Sequence, residues 1–365
     1  MKNILVLFGG VSTEHLVSCR SAFNIISGLR EAGFNVLRVG ITKKGEWLRF
    51  LADDKDIKAD NWEEIARRAI ADRRAFYQPS MSPREFIINV AGDTPDVIFP
   101  AVHGINCEDG VLQGLLEMSG IPYVGSGVLG SAICMDKATS KLLCGLHGIE
   151  QCNFTISQRY DIVEDLESEV LRVEEAIGYP AFLKPSNGGS SVGTTVAHDR
   201  DGLRAALPAV SVFDRTVIIE AYVDGRELEC AVLGNMKPIA SRVGEILISD
   251  DVAYYDYQTK YFSDTDSEAQ IPADIDPALE ERIRETAVKA YLALGVKGLA
   301  RVDFFLDRQT GKLYLNELNN LPGFTPISLY PKAFEASGLS LPELTTKLCE
   351  LAVEEFNAKI RQEDV

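Results

Sequence analysis

The sequence predicts an α/β protein that opens with a doubly wound domain, and three stretches carry that expectation. NILVLFGG (3–10) reads as a buried parallel strand ending in a glycine turn, with an amphipathic helix and a second strand behind it. PAFLKPSNGGSSVGTTVAHD (180–199) reads as strand, Gly/Ser loop, strand. ARVDFFLD and KLYLNELNN (300–307 and 312–320) read as a strand pair turning at Gly311.

The bulk numbers set the frame. The chain has 365 residues, is 46% hydrophobic and 25% charged, and suggests two or three domains. Its net charge of −17 and lack of a basic stripe argue against a nucleic-acid partner. There is no apolar run of about 18 residues, so no membrane span is expected. The apolar run at the N-terminus is too short for a signal peptide and ends in glycines. Seven scattered cysteines, with no C-x-x-C pair, fit reduced thiols in a cytoplasmic protein. Four histidines show no zinc-ligand spacing.

In order, VSTEHLVSCRSAFNIISGLREAG (11–33) predicts a helix with Val17, Ile25, Ile26 and Leu29 as its apolar stripe and Gly33 as its stop. Glu14 and Ser18 stand at its start, near the carboxyl end of the first strand, where open α/β sheets bind ligands. A first-turn carboxylate facing the helix dipole is the alternative for Glu14. FNVLRVGIT is the next strand. Residues 43–89 are the least informative; GEWLRF reads as a strand, NWEEIARRAIADRRAF as a charged surface helix, and Ser80–Pro83 as loop. DVIFPAVHG is a buried strand ending at His103, a site candidate by position. A loop with Glu108 and Asp109, a short helix and a strand follow.

SGVLGSAICMDKATSKLLCGLHG (126–148) predicts one helix carrying Lys137 and Lys141, and DIVEDLESEVLRVEEAIG (161–178) another. Lys184, inside an apolar strand, requires an anion. The loop SNGGSSVG after it offers small residues whose N–H groups can close over phosphate, although it is not a P-loop. TVIIEAYVDGRELECAVLGN is strand, linker, strand; the backbone at the end of IIEAYV can read an adenine edge, and Glu220 or Glu227 a ribose hydroxyl. DDVAYYDYQTKYFSDTDSEAQIPA (250–273) is polar and Tyr-rich, the profile of a functional lid. Helices are expected over DPALEERIRETAVKAYLALGV and LPELTTKLCELAVEEFNAKI.

The strand pair near the end concentrates chemistry. Period-2 geometry puts Arg301 and Asp303 on one face, and Glu317 and Asn319 on one face of the return strand. Buried charges must be paired or bind metal. Two carboxylates and an amide oxygen are hard ligands suited to magnesium with phosphates; a structural ion pair is the alternative. In the loop beyond, the Gly323 N–H and the Ser328 hydroxyl suit an oxyanion or carboxylate.

GGVSTEHLVS, HGINCEDGVLQGLLEMSGIPYVGSG, MDKATSK, FLKPSNGGSSVG, YYDYQTKY, ARVDFFLD and LNELNNLPGFTPISLYP occur in this order over nearly the whole chain. In that order they resemble the D-alanine–D-alanine ligase family of the ATP-grasp superfamily. The resemblance implies a three-domain ATP-grasp fold with ATP held between two sheets, divided as 1–125, 126–225 and 226–365. It implies ATP-dependent ligation of two D-alanines through a D-alanyl phosphate, for peptidoglycan precursors. It assigns Asp303, Glu317 and Asn319 to two magnesium ions, with manganese a substitute, and Lys137, Lys184 and Lys260 to phosphates. Glu220, Tyr222, Val223, Glu227 and Phe305 would surround adenine and ribose. Glu14 would take the first substrate's ammonium, with His103 nearby, and Arg301 and the Gly323 N–H would hold the tetrahedral oxyanion. Ser328 and Lys260 would hold the second carboxylate, while Ser190 and Tyr261 would join Glu14 in closing the lid. A cytoplasmic homodimer without membrane or nucleic-acid partners is the family expectation.

Four positions depart from the family pattern: Leu16 for Glu, Cys107 for Gly, Gly188 for Glu and Asn320 for Thr. They bear on loop closure and second-site specificity. The Lys260–Tyr261 pair matches dipeptide-forming relatives and implies D-alanine as second substrate; D-serine, D-lactate and a non-catalytic nucleotide-binding regulator are the rival readings.

Overall fold

The computed structural model describes residues 2–70, 82–189, 192–248 and 267–359. Residues 250–266 of the expected lid, with Lys260 and Tyr261, and Ser190 in the Gly/Ser loop lie outside them; the lid's last part, Ser267–Gln270, is a strand.

The first sheet is built by β1 (Asn3–Gly9), β2 (Asn35–Ile41), β3 (Trp47–Arg49) and β4 (Val97–Val102), in the order β3-β2-β1-β4. β1 is parallel to both β2 and β4, and β3 closes the edge antiparallel. Alternation along β1 fills two cores: Ile4, Val6 and Phe8 enter one, Leu5 and Leu7 the other. α1 (His15–Glu31) crosses between β1 and β2, α2 (Asp54–Lys58) and α3 (Trp62–Ile70) follow β3, and α4 (Pro83–Ala91) precedes β4. The chain turns to opposite sides after β1, so the carboxyl ends of β1 and β4 frame the ligand crevice of a doubly wound sheet. Gly9, Gly10, Glu14 and His103 lie at that edge.

α5 (Val111–Ser119), α6 (Val128–Met135) and α7 (Lys137–Leu146) lead to a second sheet. Its strands are β5 (Phe154–Gln158), β6 (Ala181–Pro185), β7 (Thr195–Ala197) and β8 (Thr216–Ala221), all antiparallel, ordered β5-β8-β6-β7. α8 (Arg159–Glu164), α9 (Leu166–Ala176) and α10 (Arg200–Ser211) pack on one face through Val170, Val173, Leu203 and Leu207. The other face carries Lys184 and Glu220.

The third sheet has β9 (Gly225–Gly234), β10 (Ile239–Ile248), β11 (Ser267–Gln270), β12 (Gly298–Asp307) and β13 (Leu313–Asn319), ordered β11-β10-β9-β12-β13. α11 (Pro277–Ala293) covers one face, where Val302, Phe304, Cys230 and Val232 meet Ile283, Ala287 and Tyr291. α12 (Leu329–Ala336) and α13 (Leu341–Lys359) cover one end of the other face. There Ala231, Leu233 and Leu299 share a core with Ile4, Phe8 and Phe99 of the first sheet and Tyr330, Phe334 and Leu348 of the helices.

Several elements differ from expectation. The helix expected over 126–148 is two, because Asp136 leaves helical geometry (φ −83°, ψ 95°) and its carboxylate caps α7 by accepting from the Thr139 N–H at 2.8 Å. Asp165 divides α8 from α9 in the same way, accepting from Ser168 N–H. The strand expected after the short helix that follows Asp109 is one isolated bridge, Ile98 to Tyr123. α4 is a helix the sequence reading passed over, although Ser82 and Glu85 form a reciprocal capping box and Pro83 occupies its first turn. α12 likewise follows Ser328 where only a loop was expected.

Candidate active site

The polar face of the third sheet organises the site. Strand pairing sets Glu229 of β9, Asp303 of β12 and Glu317 of β13 directly abreast. Asn319 stands opposite Arg301, and Glu227 opposite Phe305. The Arg301 guanidinium donates two 2.7 Å hydrogen bonds to Asp303 and reaches Glu229 at 3.1 Å. The Asn319 amide donates to Asp303 Oδ2 at 3.0 Å. A bulge beside Asp303 re-aims β13 at Asn316. Three carboxylates and an amide oxygen on one face form a hard-ligand set, and that chemistry fits a divalent ion bound with phosphates.

The second sheet and α7 present cations to the same side. Lys184 and Lys141, both buried, approach Glu220 at 2.6 and 2.5 Å. Lys184 also reaches Asn316 Oδ1 of β13 at 3.3 Å, which bridges the two sheets. Burial works to raise the Glu220 carboxyl, but the charges of Lys141 and Lys184 outweigh it and hold it at about 2. Burial lowers and Glu220 raises the Lys184 ammonium, with a net upward shift. Lys137, first residue of α7, donates to the Gly188 carbonyl at 2.6 Å and lies 3.5 Å from Glu317. The Lys137 and Ala138 N–H groups donate to Ser186, so the start of α7 is fastened to the Gly/Ser loop.

The first sheet supplies the third wall. Glu14, His103, Glu108, Lys137, Gly188, Gly189, Arg301, Glu317, Asn319 and Gly323 line one polar pocket. A Cβ added at Gly104 would come within 2.9 Å of the Glu14 carboxylate, and one at Gly189 within 3.5 Å, so that carboxylate sits between the His103 turn and the Gly/Ser loop. His103 is buried, with Nδ1 at 3.3 Å from Glu108 and 3.1 Å from the Leu321 carbonyl, and Nε2 at 3.2 Å from Ser21 Oγ. Burial acts to lower its basicity, yet the hydrogen bond and charge of Glu108 and the charge of Glu14 raise it. Burial also raises the Glu108 carboxyl, and the charge of Glu14 adds to that. The loop carrying Gly323 is tied to α1: Phe324 N–H donates to Ser21 Oγ, and Asn24 donates to the Phe324 carbonyl. Ser328 Oγ accepts from Thr325 N–H and would lie 2.9 Å from a Cβ on Gly323, so the two expected carboxylate and oxyanion groups are neighbours.

Glu220 gives both carboxylate oxygens to lysines, while Glu227, the other carboxylate expected near ribose, is half-buried opposite Phe305. Tyr222 donates its backbone N–H to the Pro180 carbonyl, which leaves its carbonyl and the Val223 N–H for a base edge. Sequence reasoning missed Lys141, Glu229 and Asn316. The alternation Glu227/Glu229 was the available signal for Glu229; Lys141 and Asn316 had none. Cys107 is buried, and its thiol is pushed up to about 12 by burial and nearby carboxylates.

Cations on β6 and α7 facing a carboxylate-bearing sheet, beside a doubly wound domain, are the arrangement of an ATP-grasp ligase, the class to which the relatives of this chain belong. Family models for the N-terminus and the C-terminus of D-Ala-D-Ala ligase match residues 3–126 and 143–350. A D-alanine–D-alanine ligase of Acetivibrio thermocellus is 46% identical, covering 100% of this chain and 99% of that protein. Among solved structures, the VanG D-Ala:D-Ser ligase from Enterococcus faecalis superposes with a TM-score of 0.81 at 35% identity, over 96% of this chain and 99% of that one. The D-alanine-D-alanine ligase from Coxiella burnetii gives 0.80 at 31% identity, over 98% and 97%. The chain belongs to the D-alanine–D-alanine ligase family.

Proposed function

We propose that the chain joins two D-alanines to D-alanyl-D-alanine with conversion of ATP to ADP and phosphate, for peptidoglycan precursors. The observation that carries this reading is one pocket in which Glu14, Lys137, Arg301, Glu317, Asn319 and Gly323 converge from separate parts of the chain. A carboxylate is a poor acyl donor. Its oxygen attacks the γ-phosphorus, ADP leaves, and the D-alanyl phosphate has a good leaving group. The neutral amine of the second D-alanine then attacks the carbonyl, phosphate departs, and a proton is lost.

Each residue has a part. Glu14 holds the first ammonium, with His103 and Glu108 shaping that wall. Lys137 and Lys184 bind phosphate, the latter aimed by Glu220. Tyr222, Val223, Glu227 and Phe305 surround adenine and ribose. Asp303, Glu317 and Asn319 would hold two divalent ions, magnesium or manganese, which neutralise phosphate charge. Arg301 and the Gly323 N–H stabilise the tetrahedral oxyanion, and Ser328 receives the second carboxylate. Lys260, Tyr261 and Ser190 complete the lid by family resemblance. The same resemblance supports a division near residues 125 and 225 and a homodimer. No helix among the described residues is long and apolar enough to cross a membrane.

D-serine as second substrate is the rival reading, favoured by the likeness to the Enterococcus enzyme. A pocket that accepts a methyl group rejects an added hydroxyl only about a hundredfold. Equal D-alanine, D-serine and D-lactate, supplied with ATP and magnesium and resolved by mass, decide it. D-Alanyl-D-alanine should dominate. Dominant D-alanyl-D-serine would establish the rival, and ATP turnover independent of D-amino acids would overturn ligation itself.

A further inference from the structure

α1 and the loop before α3 build a second cluster, outside the pocket described above. His15 and Cys19 lie one helical turn apart and point toward Asp60. His15 Nε2 is 3.3 Å from Asp60 Oδ1, and Cys19 Sγ is 3.9 Å from the same oxygen. Sγ, Nε2 and the carboxylate oxygen all lie within 4.8 Å of one another. His15 and Cys19 are buried, while Asp60 is partly open to solvent and provides an entry path.

The hydrogen bonds around the cluster require a cation. His15 Nδ1 lies 2.9 Å from the Gly10 carbonyl, which only accepts, so Nδ1 carries the proton. The lone pair of a neutral Nε2 then faces a carboxylate, and two acceptors at that distance need a positive charge between or upon them. Orientation of one imidazole nitrogen by a backbone carbonyl is the usual support for a metal-ligating histidine. A second observation comes from Trp62. Its indole N–H is fully buried and, among the described residues, meets no oxygen or nitrogen acceptor. It faces the Cys19 sulfur, where it favours the thiolate. The Trp62 ring also stacks on His15, with centroids 6.2 Å apart and planes at 18°.

We propose that His15, Cys19 and Asp60 bind a divalent transition ion of the zinc class, with a solvent molecule as fourth ligand. Imidazole, thiolate and carboxylate together suit such an ion and not magnesium. With usual zinc bond lengths, a tetrahedral site separates nitrogen from oxygen by about 3.3 Å and sulfur from oxygen by about 3.6 Å. The observed 3.3 and 3.9 Å lie near these values, and Sγ and Nε2, within 4.8 Å of each other, would draw together as Cys19 moves inward. Burial holds the free Cys19 thiol protonated; metal binding would release that proton. Lys43, 3.7 Å from Asp60 and largely exposed, would swing away. The ion would fasten the first turns of α1, just after Glu14, to the α2–α3 loop.

The test titrates the full chain with cobalt(II) in excess magnesium and records the thiolate-to-cobalt charge-transfer band. One equivalent should produce the band, and zinc should displace it and raise the melting temperature. Cys19→Ser should abolish the band. Asp60→Asn should weaken cobalt binding at least tenfold, and it suits the left-handed backbone there (φ 59°). A folded wild type without the band would reduce the cluster to a His–Asp ion pair. A band that survives Cys19→Ser, or binding unchanged in Asp60→Asn, would equally overturn the assignment.

Discussion

Arg301 is held by two carboxylates, Asp303 and Glu229, and that double grip sets what single substitutions at the site should do. Asp303→Asn keeps the shape but removes charge from the hard-ligand set; Glu317→Gln does the same on β13. Each should lose most activity with a near-unchanged melting temperature, and turnover at saturating magnesium checks it. Near wild-type rates there would sink the metal assignment. Cys107 gives the opposite expectation. Its buried, protonated thiol has no part in acyl or phosphoryl transfer. Cys107→Ala and Cys107→Gly should turn over within a few-fold of wild type, and a loss beyond about a hundredfold in both, roughly 2.7 kcal/mol, would refute this. That Arg301, Asp303, Glu317 and Asn319 share one face was legible from alternation, since polar side chains recurring every second residue in an apolar strand fall on one side; their roles came from the family resemblance. Lys141 was not legible. A lysine on a helix is ordinarily solvated, and only the fold reveals that it faces Glu220 at 2.5 Å.

At the scale of elements, the break at Asp136 matters most. One continuous helix over 126–148 would carry Lys137 in mid-helix; the cap makes it the first residue of α7, against Ser186 and Gly188. Asp136→Ala should cost about 1 kcal/mol of stability. It should also raise the KM for ATP beyond what the loss of stability accounts for, because the Asn187 bond that ties the Gly/Ser loop to Asp136 is lost. Initial rates over an ATP series, with a parallel melt, measure both; an unchanged KM would show that the cap serves α7 alone. Strands and long helices were legible from periodicity, whereas these boundaries depend on which Asp or Ser caps and which is merely exposed. The local sequence does not distinguish the two outcomes at Asp136 and Asp165 without the partners that the fold supplies, whereas Ser82, Pro83 and Glu85 carried a readable capping signature.

Across the molecule, the second sheet and α7 meet the third sheet through polar contacts, Lys184 to Asn316 and Lys137 to Glu317, and the first and third sheets meet through apolar side chains. Beside the polar contacts, the buried cluster of Lys141, Lys184 and Glu220 makes stability depend on acid. Glu220, held at about 2 against an ordinary 4.5, contributes stability that is fully present above its unfolded value and is lost as pH falls through its folded value. Glu220→Gln strands two buried ammonium groups and should be destabilising by about 3–5 kcal/mol near neutrality. That gap should narrow as pH falls from about 4.5 toward 2. Melting curves of both proteins over that range test the sign, and a constant gap would mean that the carboxylate is not the group that titrates.

The apolar contact has a consequence for how the protein is made. Ile4, Phe8 and Phe99 bury against Tyr330, Phe334 and Leu348, and Gly28 of α1 leaves room for Leu341 of α13, whose side chain a Cβ would meet at 2.9 Å. The opening strands therefore cannot finish their core until the closing helix has left the ribosome. At ordinary rates of synthesis that wait lasts on the order of tens of seconds. Throughout it the nascent chain carries an uncovered oily face, and a product cut short before Leu341 would keep one for good.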